Sequence, residues 1–487
     1  MSAGPLSDIT VLDLTRALAG PHAAMMLGDL GARVIKIETP GRGDDTRGWG
    51  PPFVTAAELA ERRRGTAAEL AERRRGAAAD VAARRAVAAA GAGTEGADGV
   101  TGAAGGAARN NVIGDSSGDT EAAAADRAQG DDRGSDRGTG TNADSDTNTD
   151  PISTYFLSCN RNKESVALDL KSDLGVAALT ELVRRSDVLL ENFRPGVLDR
   201  LGFPLARLME LNPGLVVLSI SGFGHDGPEG GRAGYDQIAQ GEGGLMSMTG
   251  PDPETPTKMG VPISDLLSGM YGAFGVLGKL HERSITGKGG LVRTSLLAAV
   301  VGVHAYQGTR WTVAGEIPKA QGPHHPSICP YGLFHASDGA VQISIGSEGL
   351  WQKFAPAFGL PVDADGFATN ADRVRNAAAV RAAVDAAFAG YTCRDLLAKL
   401  DEIGVPSGQV KNLQQVYEWE QTRSQGLLID VDHPVLGTVE LPGPPLRFFD
   451  GDGSEWHRDH LAPPLLGQHT AAVLDWLGVA ANEGDRV

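Results

Sequence analysis

An α/β fold built on an open parallel sheet, with a second and smaller α/β domain, is what this sequence predicts. Three observations lead there. Short apolar runs of strand length alternate with amphipathic helical patterns as far as about residue 300, outside one anomalous segment. The first three elements read strand, helix, strand, a βαβ unit that makes a parallel sheet the default. The 487 residues suffice for more than one core.

Residues 8–15 (DITVLDLT) read as a buried strand. Residues 20–31 read as a helix with Ala24, Met25, Met26 and Leu30 apolar, and 32–38 (ARVIKIE) as a second strand. The sheet is Rossmann-like in kind, yet no GxGxxG follows its first strand, which weighs against NAD or FAD. A third strand is expected at 165–170 (SVALDL), then a helix at 172–185 carrying Leu174, Ala178, Leu179, Leu182 and Val183. Residues 187–191 and 215–220 predict two more buried strands. Helices are expected over 265–283, ended by the polar HERSITGKGG turn, and over 295–312. Residues 340–346 read as a strand, and 377–390 and 394–403 as helices. Pro442, Pro444, Pro445, Pro463 and Pro464 mark an extended stretch before a last helix at about 468–477. The expected layout is a large domain from 1–54 and 153–310, completed by 440–487, and a small domain over 325–425.

Residues 55–152 are of another kind. Thr55 to Gly65 (TAAELAERRRG) recurs unchanged as Thr66 to Gly76, and no aromatic residue occurs between Phe53 and Tyr155. The repeats can form a short helix. The remaining Ala-, Gly-, Asp- and Thr-rich sequence buries too little apolar surface to offset its ordering entropy. A disordered, repeat-expanded surface insertion is expected, with an interaction tail or oligomer helix as the alternative.

The net charge of −17 argues against nucleic acid or an anionic membrane as partner. Cys159, Cys329 and Cys393 are far apart with no CxxC, which fits a reducing compartment and neither a disulfide framework nor a zinc site. The start MSAGPLSDITVLDL has no basic and apolar leader pattern, and no apolar run reaches membrane-spanning length. A cytoplasmic protein is expected.

The chemistry concentrates between Gly234 and Gly272. Asp265 opens the long helix, where the macrodipole and free N–H groups favour an ionised carboxylate. That suits a nucleophile, and it suits plain capping by Ser264 or Asp265 equally. Asp236 lies among glycines, where an Asp also serves turns. Glu191-Asn192-Phe193-Arg194-Pro195-Gly196 follows a strand at the ligand-binding edge of an open sheet. Asn192 and the N–H groups after it suit a phosphate or adenine, or an ordinary loop. Arg200 and Lys171 suit phosphates or solvent. His324 and His325 lack neighbours at metal-ligand spacing, so no metal site is expected. Cys329 reads as core.

Seven stretches carry a resemblance: LAGPHAAMMLGDLGARVIKIE (18–38), GDDTRGWGPP (43–52), CNRNKESVALDLK (159–171), LLENFRPGVLDRLGF (189–203), GYDQIAQGEGGLMSMTG (234–250), SDLLSGMYG (264–272) and PPLLGQHTAAVL (463–474). With these the chain resembles the class III CoA-transferase family, which includes formyl-CoA transferase, carnitine CoA-transferases and α-methylacyl-CoA racemase. The resemblance covers nearly everything outside 55–152. It implies covalent catalysis on an acyl-CoA by an aspartate that maps onto Asp265, through a mixed anhydride and an aspartyl-CoA thioester. It makes the large domain the CoA-binding one, with contacts at Leu18, Thr39, Leu168, Lys171, Asn192, Phe193, Arg194, Arg200, Tyr235 and Asp236. Tyr235 and Asp236 join Asp265 as catalytic candidates. Coenzyme A enters as a substrate thioester, no cofactor is permanently bound, and an interlocked homodimer is implied.

The resemblance also separates two activities. The racemases carry a histidine thirty positions before their aspartate, where this chain has Tyr235. A phenol of pKa about 10 is a poor α-proton base. CoA transfer is therefore favoured, with acyl-CoA racemisation as the alternative. Formyl-CoA transferase has a glutamine at the place of Leu18 and a glycine-rich covering loop; here the loop region reads AQGPHHPSICPYG. That form is more similar to members using succinyl-CoA and dicarboxylic acids.

Overall fold

A computed structural model of the chain describes residues 4–65 and 150–479. The chain divides into two compact units, Met1–Phe53 with Ile152–Val487, and Val54–Pro151. In the second unit residues 56–65 are helical. Thr55 and Glu58 exchange the hydrogen bonds of a capping box, so the first repeat copy forms the helix its sequence allows. The expectation of disorder for the rest of the insertion falls on 66–149, outside the described residues.

The first unit is organised by six parallel strands. They are β1 (Thr10–Asp13), β2 (Arg33–Glu38), β3 (Lys163–Ala167), β4 (Val188–Glu191), β5 (Val216–Ser221) and β6 (Gly290–Ser295), in the order β3-β2-β1-β4-β5-β6. This is the doubly wound order, which reverses between β1 and β4. The connecting helices that matter here are α1 (Ala19–Asp29), α2 (Thr154–Cys159), α3 (Asp173–Arg185), α4 (Asp236–Glu242), α5 (Ile263–Thr286) and α6 (Leu296–Gly302). Alternate strand residues enter two cores. Leu12, Ile35, Leu189 and Val217 pack against α3, and Val11, Val34, Val188 and Val216 against α1 and α5. Cover on both faces is why these strands read as unbroken apolar runs.

Two expectations are corrected. The helix expected to end in a turn through 281–290 runs on to Thr286, and it is followed by β6, an outer strand whose Arg293 is exposed and whose other residues before Ser295 are half-buried, so it lacks the apolar run of its neighbours. The single helix expected over 295–312 is two, α6 and a second at Ala305–Thr312, divided where Ala305 takes φ +47°.

Beyond residue 330 the chain builds a three-stranded antiparallel sheet from β7 (Tyr331–Ala336), β8 (Gly339–Ser344) and β9 (Ser407–Gln409). It packs its own core of Phe334, Val341, Trp351, Phe354 and Phe388. The final helix, α7 (Thr470–Leu477), returns to the large sheet, with Val473, Leu474 and Leu477 in the core beside Val166. The backbone N–H of His469 donates to Ser165.

One contact fixes the site's frame. A Cβ added at Gly269 of α5 would stand 2.6 Å from the carbonyl oxygen of Ala19 on α1. Only glycine lets the two backbones approach so closely. That approach sets the start of α5 against the loop that ends at Leu18.

Candidate active site

The switch point between β1 and β4 holds a pocket of about 520 Å³. Its two loops are locked together. The backbone N–H of Arg16 donates to Asn192 Oδ1 at 2.9 Å, and Asn192 Nδ2 donates to the Arg16 carbonyl at 2.8 Å. Arg16 Nη2 also donates to Thr39 at 3.0 Å.

Beneath the first loop lies a buried set of charges. Lys36 and Lys163 are fully enclosed, and Lys163 pairs with Asp13 at 3.0 Å while Lys36 pairs with Asp44 at 2.9 Å. Lys36 also donates to the Thr15 carbonyl at 2.7 Å, and Asp44 accepts from the Ala17 N–H at 3.2 Å. Burial opposes the charge on Lys36, but Asp13, Asp44 and Glu38 outweigh it and hold its pKa above the usual range. Lys36 therefore stays ionised, while burial lowers the pKa of Lys163, and the bonds of the set fix the course of residues 15–18.

The other wall comes from α4 and α5. Tyr235 is the N-cap of α4 and its ring is exposed; Asp236 is the first residue of that helix. Asp236 Oδ1 accepts from the Ser264 N–H at 2.8 Å, and Oδ2 accepts from Gln240 Nε2 at 2.7 Å. Gln240 in turn accepts from the Met259 N–H at 2.9 Å. Asp265 lies in the first turn of α5, half-buried on the pocket lining. No donor among the described residues reaches its carboxylate.

Here the structure changes the reading of Asp265. Neither Ser264 nor Asp265 caps the helix; the cap position is Pro262. Nor is the carboxyl held in its ionised form, as a bare helix start would suggest. Burial, and then the neighbouring charge of Asp236, push its pKa from 3.8 up to about 7. A carboxylate without hydrogen bonds or full hydration is the more reactive for it, so the arrangement suits nucleophilic attack.

Of the residues expected at the site, Leu18, Asn192, Phe193, Arg194, Tyr235, Asp236 and Asp265 all line this pocket. Thr39, Leu168, Lys171 and Arg200 do not. Thr39 touches it through Arg16, Leu168 turns into the core beside Val166, and Lys171 stands exposed past the end of β3. Nothing from 321–332 lines the pocket either; there His325 stacks between Tyr306 and Tyr331. Cys329 is buried, and burial raises its thiol pKa. Among the described residues no group of His, Cys, Asp and Glu is arranged to hold a metal ion, and no helix is long and apolar enough to cross a membrane.

Arg16, Trp49, Tyr155 and Lys258 are among the lining residues that escaped the sequence reading. Trp49 and Tyr155 meet edge to face at 5.1 Å. Burial, and then the charge of Asp265, hold the Tyr155 phenol in its protonated form. The aromatic-free gap ending at Tyr155 was visible in the sequence, but its two flanks meet only in the fold. Lys258 belongs to a short link with no local signal at all.

Comparison with known proteins places the chain in a family. The model of CoA-transferase family III matches residues 6–87 and 128–470. The chain is 31% identical over 475 residues to succinyl-CoA:glutarate CoA-transferase of Mus musculus, covering 97% of this chain and 86% of that one. It is 30% identical over 479 residues to succinate–glutarate CoA-transferase of Agrobacterium fabrum, covering 96% and 95%. A solved CAIB/BAIF family protein from Brucella suis superimposes with a TM-score of 0.70 at 30% identity, covering 98% of this chain and 100% of that one.

Proposed function

Because the chain belongs to CoA-transferase family III and is an enzyme of that kind, we propose that it moves CoA from succinyl-CoA to a second dicarboxylic acid through Asp265. The observation that carries this is the Asp265 carboxylate itself, open to the pocket, free of donors and beside Asp236. The named activities of the two relatives supply the choice of acids.

The Asp265 carboxylate attacks the thioester carbonyl of the donor, forming a mixed anhydride and releasing CoA thiolate. The thiolate attacks the Asp265 carbonyl carbon, which gives an aspartyl-CoA thioester and frees the donor acid. The acceptor carboxylate attacks that thioester and forms a second anhydride, again releasing the thiolate. Attack of the thiolate on the acceptor's carbonyl yields the new acyl-CoA and restores Asp265. No water is consumed, so the thioester's free energy is retained only while the pocket excludes water. Asn192, Phe193, Arg194 and Arg16 hold the CoA at the strand ends. Tyr155 donates toward the oxygens that develop charge near Asp265. Coenzyme A is a substrate, and no further cofactor is required.

Two observations support a homodimer as the working form. The 321–332 segment does not reach the pocket of its own chain, and Phe274, Ile285 and Trp311 stand exposed. Three free, buried cysteines suit a reducing compartment such as the cytoplasm. Against racemisation stands the pocket lining, which among the described residues has no imidazole to serve as the second base.

The test is to incubate the protein with succinyl-CoA and glutarate and identify CoA products by mass spectrometry. Glutaryl-CoA is expected, with hydroxylamine trapping a hydroxamate at Asp265. Exchange that persists in Asp265→Ala overturns the proposal.

A further inference from the structure

Four cationic side chains line the pocket among the described residues: Arg16, Arg194, Arg232 and Lys258. Three are accounted for. Arg232 is held by Glu242 at 2.7 Å and Glu229 at 3.3 Å. Arg16 and Arg194 extend from the loops after β1 and β4, at the strand-end edge assigned to the CoA phosphates. Lys258 is set apart by its place, on the short link before α5 and away from those loops. It is exposed, it has no acidic partner among the described residues, and its ammonium makes only a 3.3 Å contact to the Met259 carbonyl.

Its backbone is held firmly while its side chain is left free. The Thr257 N–H donates to the Thr249 carbonyl at 2.9 Å on one side. On the other, the Met259 N–H donates to Gln240, the residue that also holds Asp236. Since Asp236 binds the Ser264 N–H, the placing of Lys258 and the placing of Asp265 share one hydrogen-bond network.

The chemistry of the pocket leaves a task for such a group. Asp236 and Asp265 are both acidic, and a monoacid needs only to bring its single carboxyl to Asp265. A diacid brings a second negative charge that must be offset, because like charges in a partly desolvated site repel strongly. In a five-carbon diacid the two carboxyl carbons lie roughly 5 Å apart by standard bond lengths. That is within the span of a pocket of about 520 Å³.

We propose that Lys258 is the specificity residue of this site: its ammonium holds the distal carboxylate of a dicarboxylic donor or acceptor while the reacting carboxyl meets Asp265. The assignment rests on the CoA-transferase reading given above. An ammonium is suited to the role, since it pairs as a point charge and tolerates diacids of somewhat different length.

The decisive measurement is the ratio of kcat/KM for glutarate over pentanoate, which has the same length with one carboxylate, using succinyl-CoA as donor. The wild type should favour glutarate at least tenfold. Lys258→Met should collapse that ratio to within about threefold, and CoA affinity should stay unchanged. Lys258→Arg should keep most of the preference. Lys258→Glu should reverse it, making 5-aminopentanoate a better acceptor than glutarate. A ratio unmoved by Lys258→Met, or equal losses with both acids, overturns the assignment while leaving CoA transfer intact. A wild type that exchanges CoA with neither acid overturns the parent reading as well.

Discussion

The carboxylate of Asp236 accepts the backbone N–H of Ser264 at 2.8 Å, and with the bond from Ser264 Oγ to the Asp236 carbonyl at 3.2 Å this joins the starts of two helices. It places a second acid beside Asp265 and helps raise the nucleophile's pKa. Asp236→Asn keeps an oxygen for Ser264 and removes the charge. The acid limb of kcat/KM should therefore move to lower pH in this variant. Because the amide turns a second donor toward Gln240, a stability loss of roughly 1–3 kcal/mol should accompany it. A pH–rate profile checks the first effect and urea unfolding the second; an unmoved acid limb would show that Asp236 acts through geometry alone.

The Asp265 carboxyl should govern both activity and stability with opposite signs. Attack needs the ionised form, so kcat/KM should fall below a midpoint near pH 7. For stability the raised folded pKa means that the native state binds the proton more tightly than the unfolded chain does. The contribution is favourable at low pH and is lost as pH rises from about 4 through about 7. Asp265→Asn should abolish transfer and yet stabilise the protein at pH 8 by roughly 1–2 kcal/mol, below the full shift because the side chain is only half-buried. The gain should shrink at pH 5. Thermal melts of both proteins at the two pH values measure it, and a destabilised Asp265→Asn at pH 8 would contradict it.

Tyr155 lines the same pocket as Asp265 and feels its charge. Tyr155→Phe should keep the edge-to-face contact with Trp49 and lose only the donor. A fall in kcat of about tenfold to a hundredfold is expected, in the range of a lost transition-state hydrogen bond, with little change in KM for the acyl-CoA. A change in KM alone would make Tyr155 a binding group instead.

How far the sequence reached depends on how local each cause is. β1, β2, β4 and β5 were legible because helices cover both faces and the runs are continuously apolar. β6 was not, because its side chains are half-exposed and its start is Gly290. Tyr331–Ala336 went unread as a strand because only every second residue there is buried to any depth. Asp265 and Asp236 were marked by a glycine-rich stretch and a helix start, both local features, and Tyr235 by the family resemblance. The pKa of Asp265 was misread, since burial and a second carboxylate are tertiary facts that outweigh the helix end. Leu168 and Lys171 were placed at the site by position in a motif, yet the chain past β3 turns one into the core and the other to solvent. Lys258 could not have been found, because its place near Asp236 and Asp265 is set by hydrogen bonds that only the fold brings together.

The enclosed charges under residues 15–18 make a second kind of prediction. Lys36→Met leaves Asp13 and Asp44 short of a counter-charge in a dry interior. Breaking a buried pair from one side costs about 3–5 kcal/mol. Chemical denaturation should report that loss. The loop would also lose its bond from Lys36 to the Thr15 carbonyl, so CoA affinity should drop even where the variant is fully folded. Retained affinity at full folding would separate the charge network from the pocket.

Replacement of residues 55–152 by a short Gly/Ser linker should leave transfer activity within about twofold of the parent protein. The reason lies in the two ends. The Thr154 N–H donates to the Pro52 carbonyl at 3.3 Å, and Ser153 Oγ donates to the Trp49 carbonyl at 2.5 Å. The chain leaves and re-enters the fold at nearly the same place, so a few flexible residues can close the gap at small entropic cost. The family model matches 55–87 and 128–152 and passes over 88–127. The junction also lies between Trp49 and Tyr155, which meet on the pocket wall, so a linker too short to preserve the Ser153 bond should lower kcat through Tyr155 while unfolding stays unchanged. A series of linker lengths tests this. Activity lost at every length, with folding intact, would assign the inserted segment a part in the reaction.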